Sequence, residues 1–105
     1  MIFKGVLNIM RESTFQTNLI KDIRERFPGS IVMKNDPNYI QGIPDWTILY
    51  KGKWATLEAK KDISARHRPN QDYYVNKMNE MSYSAFVYPE NKEEVLNDLE
   101  KIFQS

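Results

Sequence analysis

The sequence predicts an α/β fold in which helices flank a mixed β-sheet, and two observations support that prediction. The periodic segments run helix, strand, strand, strand, helix, strand, helix, which gives an αβββαβ core plus a C-terminal helix. Strand-like runs at 45–50 and 54–60 are separated by a short Lys-Gly-Lys segment, so they should form an antiparallel hairpin. The last strand follows a helical crossover, which favours parallel pairing with a neighbouring strand.

The first half of the chain opens with a predicted helix over 12–27. Five apolar residues recur on one side of it at about 100° per residue: Phe15, Leu19, Ile20, Ile23 and Phe27. Ser13 or Thr14 is a candidate cap, and a Pro-Gly pair ends the helix. A short β-branched strand is predicted at 30–34, and the polar segment 35–42 is predicted to be a loop.

The second half begins with a basic loop at 61–68, which leads into a helix over 69–81 that starts at a proline. A strand is predicted at 84–88, where another proline stops it. Asn91 with Glu94 resembles a capping box and predicts the start of the last helix.

Length and composition indicate a single domain covering residues 1–105. The chain has 15 basic and 14 acidic residues, a balance that argues against a histone-like protein whose total charge drives binding. Cysteine is absent, which excludes disulfides, cysteine-based zinc sites and thiol nucleophiles. Because His67 is the one histidine, a histidine-rich metal site is excluded as well. A metal would therefore need mainly oxygen ligands, as Mg²⁺, Mn²⁺ and Ca²⁺ prefer.

Neither a membrane span nor a secretion signal is expected. No apolar run approaches the roughly 20 residues that a bilayer crossing needs. The first ten residues are interrupted by Lys4, Gly5 and Asn8, which makes them a poor signal peptide. The expected location is the cytoplasm.

The predicted hairpin brings charged side chains together at its open end. If the turn has two residues, Tyr50 pairs with Lys53 and Asp45 lies opposite Glu58, with Cβ atoms about 4.5–5.5 Å apart. Lys60 then shares a face with Glu58. Two opposed carboxylates repel each other unless a cation compensates, and a divalent metal would do so.

Two alternatives stay open at this point. Asp45, Glu58 and Lys60 would equally suit an ordinary salt-bridged hairpin on the surface. A three-residue turn would instead pair Asp45 with Ala59 and weaken the case for a metal.

Polar residues also interrupt the apolar sides of two helices. Glu12 and Gln16 fall within the apolar arc of the first helix, although a glutamate there can simply favour the helix dipole. Gln71 lies on the apolar side of the second helix and has a simple alternative as a capping glutamine. A basic run leads into that helix and could contact nucleic-acid phosphates: Lys60, Lys61, Arg66, His67 and Arg68. His67 alone is expected to be a surface residue or a phosphate contact rather than a catalyst.

The segments Gly42-Ile-Pro-Asp45 and Glu58-Ala-Lys60 together resemble the signature of the PD-(D/E)XK nuclease superfamily. Within it, the chain most resembles the VRR-NUC group, in particular its small stand-alone phage or bacterial members. The resemblance covers about 12–88 and implies a restriction-endonuclease-like core. A second acid-X-Lys triplet at 90–92 follows a proline at a helix start, so strand geometry rejects it.

The resemblance implies a metal site and a reaction. Asp45 and Glu58 would bind Mg²⁺, with Mn²⁺ as a substitute, and the carbonyl of Ala59 would be a further ligand. Glu12 would bind the metal directly or through water. Lys60 would orient the attacking water or stabilise charge on the phosphate during hydrolysis of a phosphodiester bond.

The resemblance also implies that Gln71 would support the site and that DNA would be the partner. The expected function is a Mg²⁺-dependent DNA endonuclease with selectivity for branched DNA, like a Holliday-junction resolvase, acting as a homodimer in the cytoplasm, or in host cytoplasm if a phage encodes it. The alternatives are a non-catalytic nucleic-acid-binding domain with a nuclease fold and an interaction module without a nucleic-acid partner. A further enzymatic alternative is the cleavage of nicked, flap or RNA substrates.

Overall fold

A computed structural model describes residues 11–105, so the segment expected to be a poor signal peptide lies outside the described residues. Three helices and four strands follow in the predicted order: α1 (Glu12–Arg26), β1 (Ile31–Lys34), β2 (Trp46–Tyr50), β3 (Lys53–Ala59), α2 (Pro69–Met81), β4 (Ser84–Val87) and α3 (Lys92–Gln104). The predicted α/β class is confirmed. None of the helices between residues 11 and 105 combines the length and apolar character needed to cross a bilayer.

The sheet has the strand order β1-β2-β3-β4, in which β1, β2 and β3 are antiparallel and β4 runs parallel to β3. The β2–β3 turn has two residues, Lys51 and Gly52, with φ angles of 52° and 76°. Positive φ at both central positions is typical of the tight turn that matches the twist of a hairpin. Tyr50 therefore pairs with Lys53, and the register continues to Trp46 opposite Leu57. The hairpin turn therefore has the two residues assumed from the sequence, and the alternative turn of three residues does not form.

Helices cover the two faces of the sheet unequally. α1 and α3 pack on one face, where the core contains Phe15, Leu19, Ile23, Leu96, Leu99 and Phe103. Ala55, Leu57 and Ala59 point into this core because alternate residues of a strand share a face. The other face of β3 meets α2, where the Thr56 hydroxyl lies near the sulfur of Met78. Glu58 and Lys60 follow Thr56 in this alternation and so lie on the α2 side of the sheet.

The predicted capping box at the last helix is wrong. Asn91 does precede α3, but its side chain accepts a hydrogen bond from the Tyr88 N–H at 2.9 Å and donates to the Phe86 carbonyl at 3.0 Å. The amide thereby closes the turn after β4 and is not available to the helix or to Glu94. The hydroxyl caps predicted for α1 lie inside that helix, which begins one residue earlier.

Candidate active site

The open end of the β2–β3 hairpin lies in a cleft of about 740 Å³ between the 35–44 loop and the start of α2. Most of the predicted site residues line it: Asp45, Glu58, Lys60, Arg66, Arg68 and Gln71. The loop wall is formed by residues such as Pro37, Gly42 and Ile43. Residues that are far apart in sequence therefore share one concave surface, as a binding site requires.

Among the described residues, Asp45 and Glu58 are the two acidic ones that line this cleft. Asp45 Oδ2 accepts a hydrogen bond from the backbone N–H of Ala59 at 3.0 Å, which fixes its carboxylate beside β3. The side chain of Glu58 is only 6% exposed and that of Lys60 only 11%, so the ordinary surface hairpin is not what forms. The pKa of the Glu58 carboxyl is raised to about 8, mainly by burial and then by the Asp45 carboxylate, while Lys60 partly offsets both effects.

Gln71 connects the acid and the base of the Glu-Ala-Lys segment. Its Nε2 donates to Glu58 Oε2 at 3.1 Å, and its Oε1 accepts from Lys60 Nζ at 2.8 Å. The same Oε1 accepts from the Arg68 N–H at 3.1 Å, at the start of α2. Lys60 Nζ also donates to the Arg66 carbonyl at 3.1 Å and lies 3.9 Å from Glu58 Oε2. Gln71 thus caps its helix and also hydrogen-bonds Lys60, while its support of a catalytic site stays a prediction.

A second polar network surrounds Asp45 on the side of α1 and β1. Gln16 Oε1 accepts from Trp46 Nε1 at 2.9 Å and lies 3.4 Å from Lys34 Nζ, while Gln16 Nε2 donates to Glu12 Oε2 at 3.1 Å. Lys34 Nζ also lies 3.4 Å from Asp45 Oδ1. Lys34 was not among the sequence-predicted site residues. Its pairing with Trp46 across β1 and β2 places it here, and no local sequence pattern indicates that register.

Glu12 is exposed in the first turn of α1, where the helix dipole favours an acid. Its carboxylate adds a smaller contribution to the raised pKa of Glu58. Within residues 11–105, no three acidic or histidine side chains are grouped closely enough to hold a metal ion by themselves. Two carboxylates with remaining positions filled by water or phosphate are nevertheless the coordination that Mg²⁺ favours. The hard oxygen donors of Asp45 and Glu58 therefore fit this ion. Metal ligation by these two residues, by Glu12 and by the Ala59 carbonyl stays a prediction.

The basic residues divide into two groups. Arg66 and Arg68 line the cleft beside Lys60, whereas Lys61 is exposed outside its lining. The His67 ring stacks on Phe86 with centroids 3.7 Å apart, and its Nδ1 lies 3.2 Å from an oxygen of Asp72. These contacts anchor His67 outside the cleft lining. Phosphate binding stays a prediction for all four of these basic residues.

Solved structures of two other proteins have a similar fold. One, described as a VRR_NUC domain, has a TM-score of 0.59 at 22% sequence identity, over 77% of this chain and 92% of that one. The other, described as a VRR_NUC domain protein, has a TM-score of 0.65 at 13% identity, over 90% of this chain and 89% of that one. The protein has a VRR-NUC-like nuclease fold. At the level of sequence, no family model and no curated protein matches the chain.

Within this VRR-NUC-like fold, Gly42 should be essential to the shape of the cleft. Its φ is +89°, and a Cβ there would lie 2.7 Å from the backbone carbonyl carbon of Asn70. We expect Gly42→Ala to lower the free energy of unfolding by about 2–4 kcal/mol, since left-handed strain and a clash with α2 add together. Urea unfolding followed by circular dichroism measures this change.

Gly29 provides the matched control for that variant. It has the same φ of +89°, but nothing lies within 4 Å of a Cβ added there. Gly29→Ala should therefore cost only the backbone strain, about 1–2 kcal/mol. Equal losses in the two variants would show that the loop can move away from α2 without cost.

Proposed function

We propose that the protein is a Mg²⁺-dependent endonuclease that hydrolyses phosphodiester bonds in DNA. One observation carries the proposal: the buried carboxyl of Glu58 and the partly buried carboxylate of Asp45 line one cleft with a hydrogen-bonded lysine, Lys60, and with arginines on its wall. Burying one carboxyl group close to a second, negatively charged one is destabilising unless a cation compensates. Metal-assisted hydrolysis is the chemistry that uses such an arrangement.

The residues of the chain would divide the work as follows. Asp45 and Glu58 would hold the ion, with the carbonyl of Ala59 and, directly or through water, the carboxylate of Glu12 as additional ligands. Bound Mg²⁺ would supply charge stabilisation for the phosphate and a water of lowered pKa. Lys60, held by Gln71, would orient the attacking water or stabilise charge on the phosphate oxygens.

DNA is the partner that the cleft wall favours. Arg66 and Arg68 line the cleft on the side of Lys60, where guanidinium groups can bind phosphate with two parallel hydrogen bonds. Lys61 and His67 would extend this surface along the 61–68 loop. Selectivity for branched DNA such as Holliday junctions, a homodimeric state and a cytoplasmic location stay predictions.

The decisive experiment compares end-labelled linear, flap and four-way-junction DNA incubated with the protein in Mg²⁺ or in EDTA. Cleavage in Mg²⁺ that disappears in EDTA would support the proposal, and the substrate with the fastest cleavage would identify the preferred DNA shape. Binding of DNA without cleavage in Mg²⁺ or Mn²⁺ would instead favour the non-catalytic alternative. A matching RNA duplex extends the comparison to RNA.

Arg66 and Arg68 should determine how salt affects DNA binding. Each phosphate contact contributes about 0.9 to the slope of log K against log salt for duplex DNA. Replacing both arginines by glutamine should therefore reduce the magnitude of that slope by up to about 2. Fluorescence anisotropy over a salt series measures it, with EDTA present to prevent cleavage.

The control for this prediction replaces two lysines of the hairpin, Lys51 and Lys53, by glutamine. This double substitution removes the same amount of positive charge as the arginine variant, but at the opposite end of β2 and β3. Their replacement should leave the slope nearly unchanged. The same slope for the arginine variant and the wild type would place the DNA path elsewhere.

A further inference from the structure

Lys34 and Lys60 both approach the carboxylate pair, but they are held very differently. Lys60 Nζ has hydrogen bonds of 2.8 and 3.1 Å, and its side chain is 11% exposed. Lys34 Nζ lies at 3.4 Å from both Asp45 Oδ1 and Gln16 Oε1, and its side chain is 49% exposed. Charge-assisted hydrogen bonds are normally 2.7–2.9 Å long. Lys34 is therefore a loose partner of Asp45, whereas Lys60 is a fixed part of the cleft.

The surroundings of Lys34 keep its ammonium close to Asp45 without a tight bond. The Nζ lies 4.8 Å from the centroid of the Trp46 ring, within the range of a cation–π interaction. Trp46 is itself fixed by its hydrogen bond to Gln16. The two oxygens of Asp45 have different partners: Oδ2 accepts a hydrogen bond from the Ala59 N–H, and Oδ1 faces Lys34. The ammonium of Lys34 thus lies near one of the two oxygens through which Asp45 could bind a cation.

We propose that Lys34 is an exchangeable counter-ion of Asp45 that competes with the divalent metal for this carboxylate. The inference rests on the proposed metal site at Asp45 and Glu58. Without metal, the ammonium of Lys34 offsets the charge of Asp45 beside the buried Glu58. When a divalent cation binds, the two positive charges repel each other and the half-exposed lysine side chain moves away. Lys34 thereby sets the metal concentration at which the site fills.

Titration calorimetry with Mn²⁺ in the absence of DNA tests this role on the full chain. Lys34→Met keeps an unbranched side chain over Trp46 but removes the charge, so it should bind Mn²⁺ roughly three- to tenfold more tightly than the wild type. Lys34→Arg keeps the charge and should stay within about twofold of the wild type. Lys51→Met is the matched control, because Lys51 Nζ lies 5.2 Å from the Tyr50 ring centroid at the far end of β2. Its Mn²⁺ affinity should equal that of the wild type.

The sign of the change separates this inference from a purely structural role. If Lys34 only positioned Asp45, its replacement by methionine would weaken Mn²⁺ binding, and weaker or unchanged binding overturns the counter-ion role. Thermal unfolding gives a second readout, in which Mn²⁺ should raise the Tm of Lys34→Met more than that of the wild type. Lys34→Gln repeats both measurements if the methionine variant does not fold. A wild-type protein that binds no Mn²⁺ would overturn the proposed metal site itself, a result distinct from an altered affinity ranking.

Discussion

Purified Asp45→Asn and Lys60→Met proteins should each lose roughly two to three orders of magnitude of Mg²⁺-dependent DNA cleavage. Asparagine at position 45 can still accept the Ala59 N–H bond through its amide oxygen, so it removes the charge and preserves the local shape. Methionine at position 60 retains the buried stem and removes the ammonium that Gln71 and the Arg66 carbonyl hold. Single-turnover cleavage rates with excess enzyme would measure both losses.

Loss of folding must be separated from loss of chemistry in these variants. Far-ultraviolet circular dichroism and thermal unfolding should show folded proteins with unchanged helix content. Lys77→Met, an exposed lysine on α2, is the control for removing a positive charge and should cleave at the wild-type rate. Retained cleavage by both site variants would refute the assignment of this cleft as the active site.

Glu58→Gln should make the metal-free protein more stable at pH 8–9 while abolishing cleavage. The pKa of Glu58 is raised from 4.5 to about 8 by burial and by the neighbouring Asp45. Between these two values the folded state keeps a proton that the unfolded state has released, so the free energy of unfolding falls as pH rises through this window. The loss is on the order of a few kcal/mol. Glutamine carries no charge at any pH, so the variant should lack this decline.

Urea unfolding at intervals from pH 5 to pH 9, with EDTA present, would measure the decline in the wild type. Glu80→Gln is the control, because Glu80 is exposed on α2 and its replacement should leave the wild-type pH profile unchanged. Added Mg²⁺ should restore stability at pH 8 in the wild type and have little effect on Glu58→Gln. A wild-type stability that stays flat from pH 5 to pH 9 would contradict the raised pKa of the buried Glu58.

Local patterns predicted the parts of the site that one hairpin contains. A two-residue turn with glycine fixes the register of the strands that flank it, so Asp45 and Glu58 could be placed opposite each other from the sequence. Helical periodicity likewise placed Gln71 on the side of α2 that meets the sheet. These relations depend on residues close together in the chain, which is why they could be inferred.

Long-range relations could not be inferred in the same way. Lys34 reaches Asp45 because β1 pairs with β2 across an eleven-residue connection, and no local pattern determines the register of that pairing. The hydrogen bond of Gln16 to the Trp46 indole depends on how α1 packs on the sheet. The capping prediction at Asn91 failed for a related reason, since the turn after β4 offered its side chain better partners than α3 did.

The first turn of α2 also dictates the order of acid and base along β3. A side-chain amide could satisfy Glu58 and Lys60 in either orientation if it met nothing else. The Arg68 N–H removes that freedom, because it requires the oxygen of Gln71 to point toward the end of the strand where Lys60 lies. A chain with lysine at 58 and glutamate at 60 would have to turn the amide around and leave this backbone donor without its acceptor. The polarity of the acid-X-Lys segment is thus set by the backbone N–H of Arg68, eight residues beyond Lys60 and just before α2.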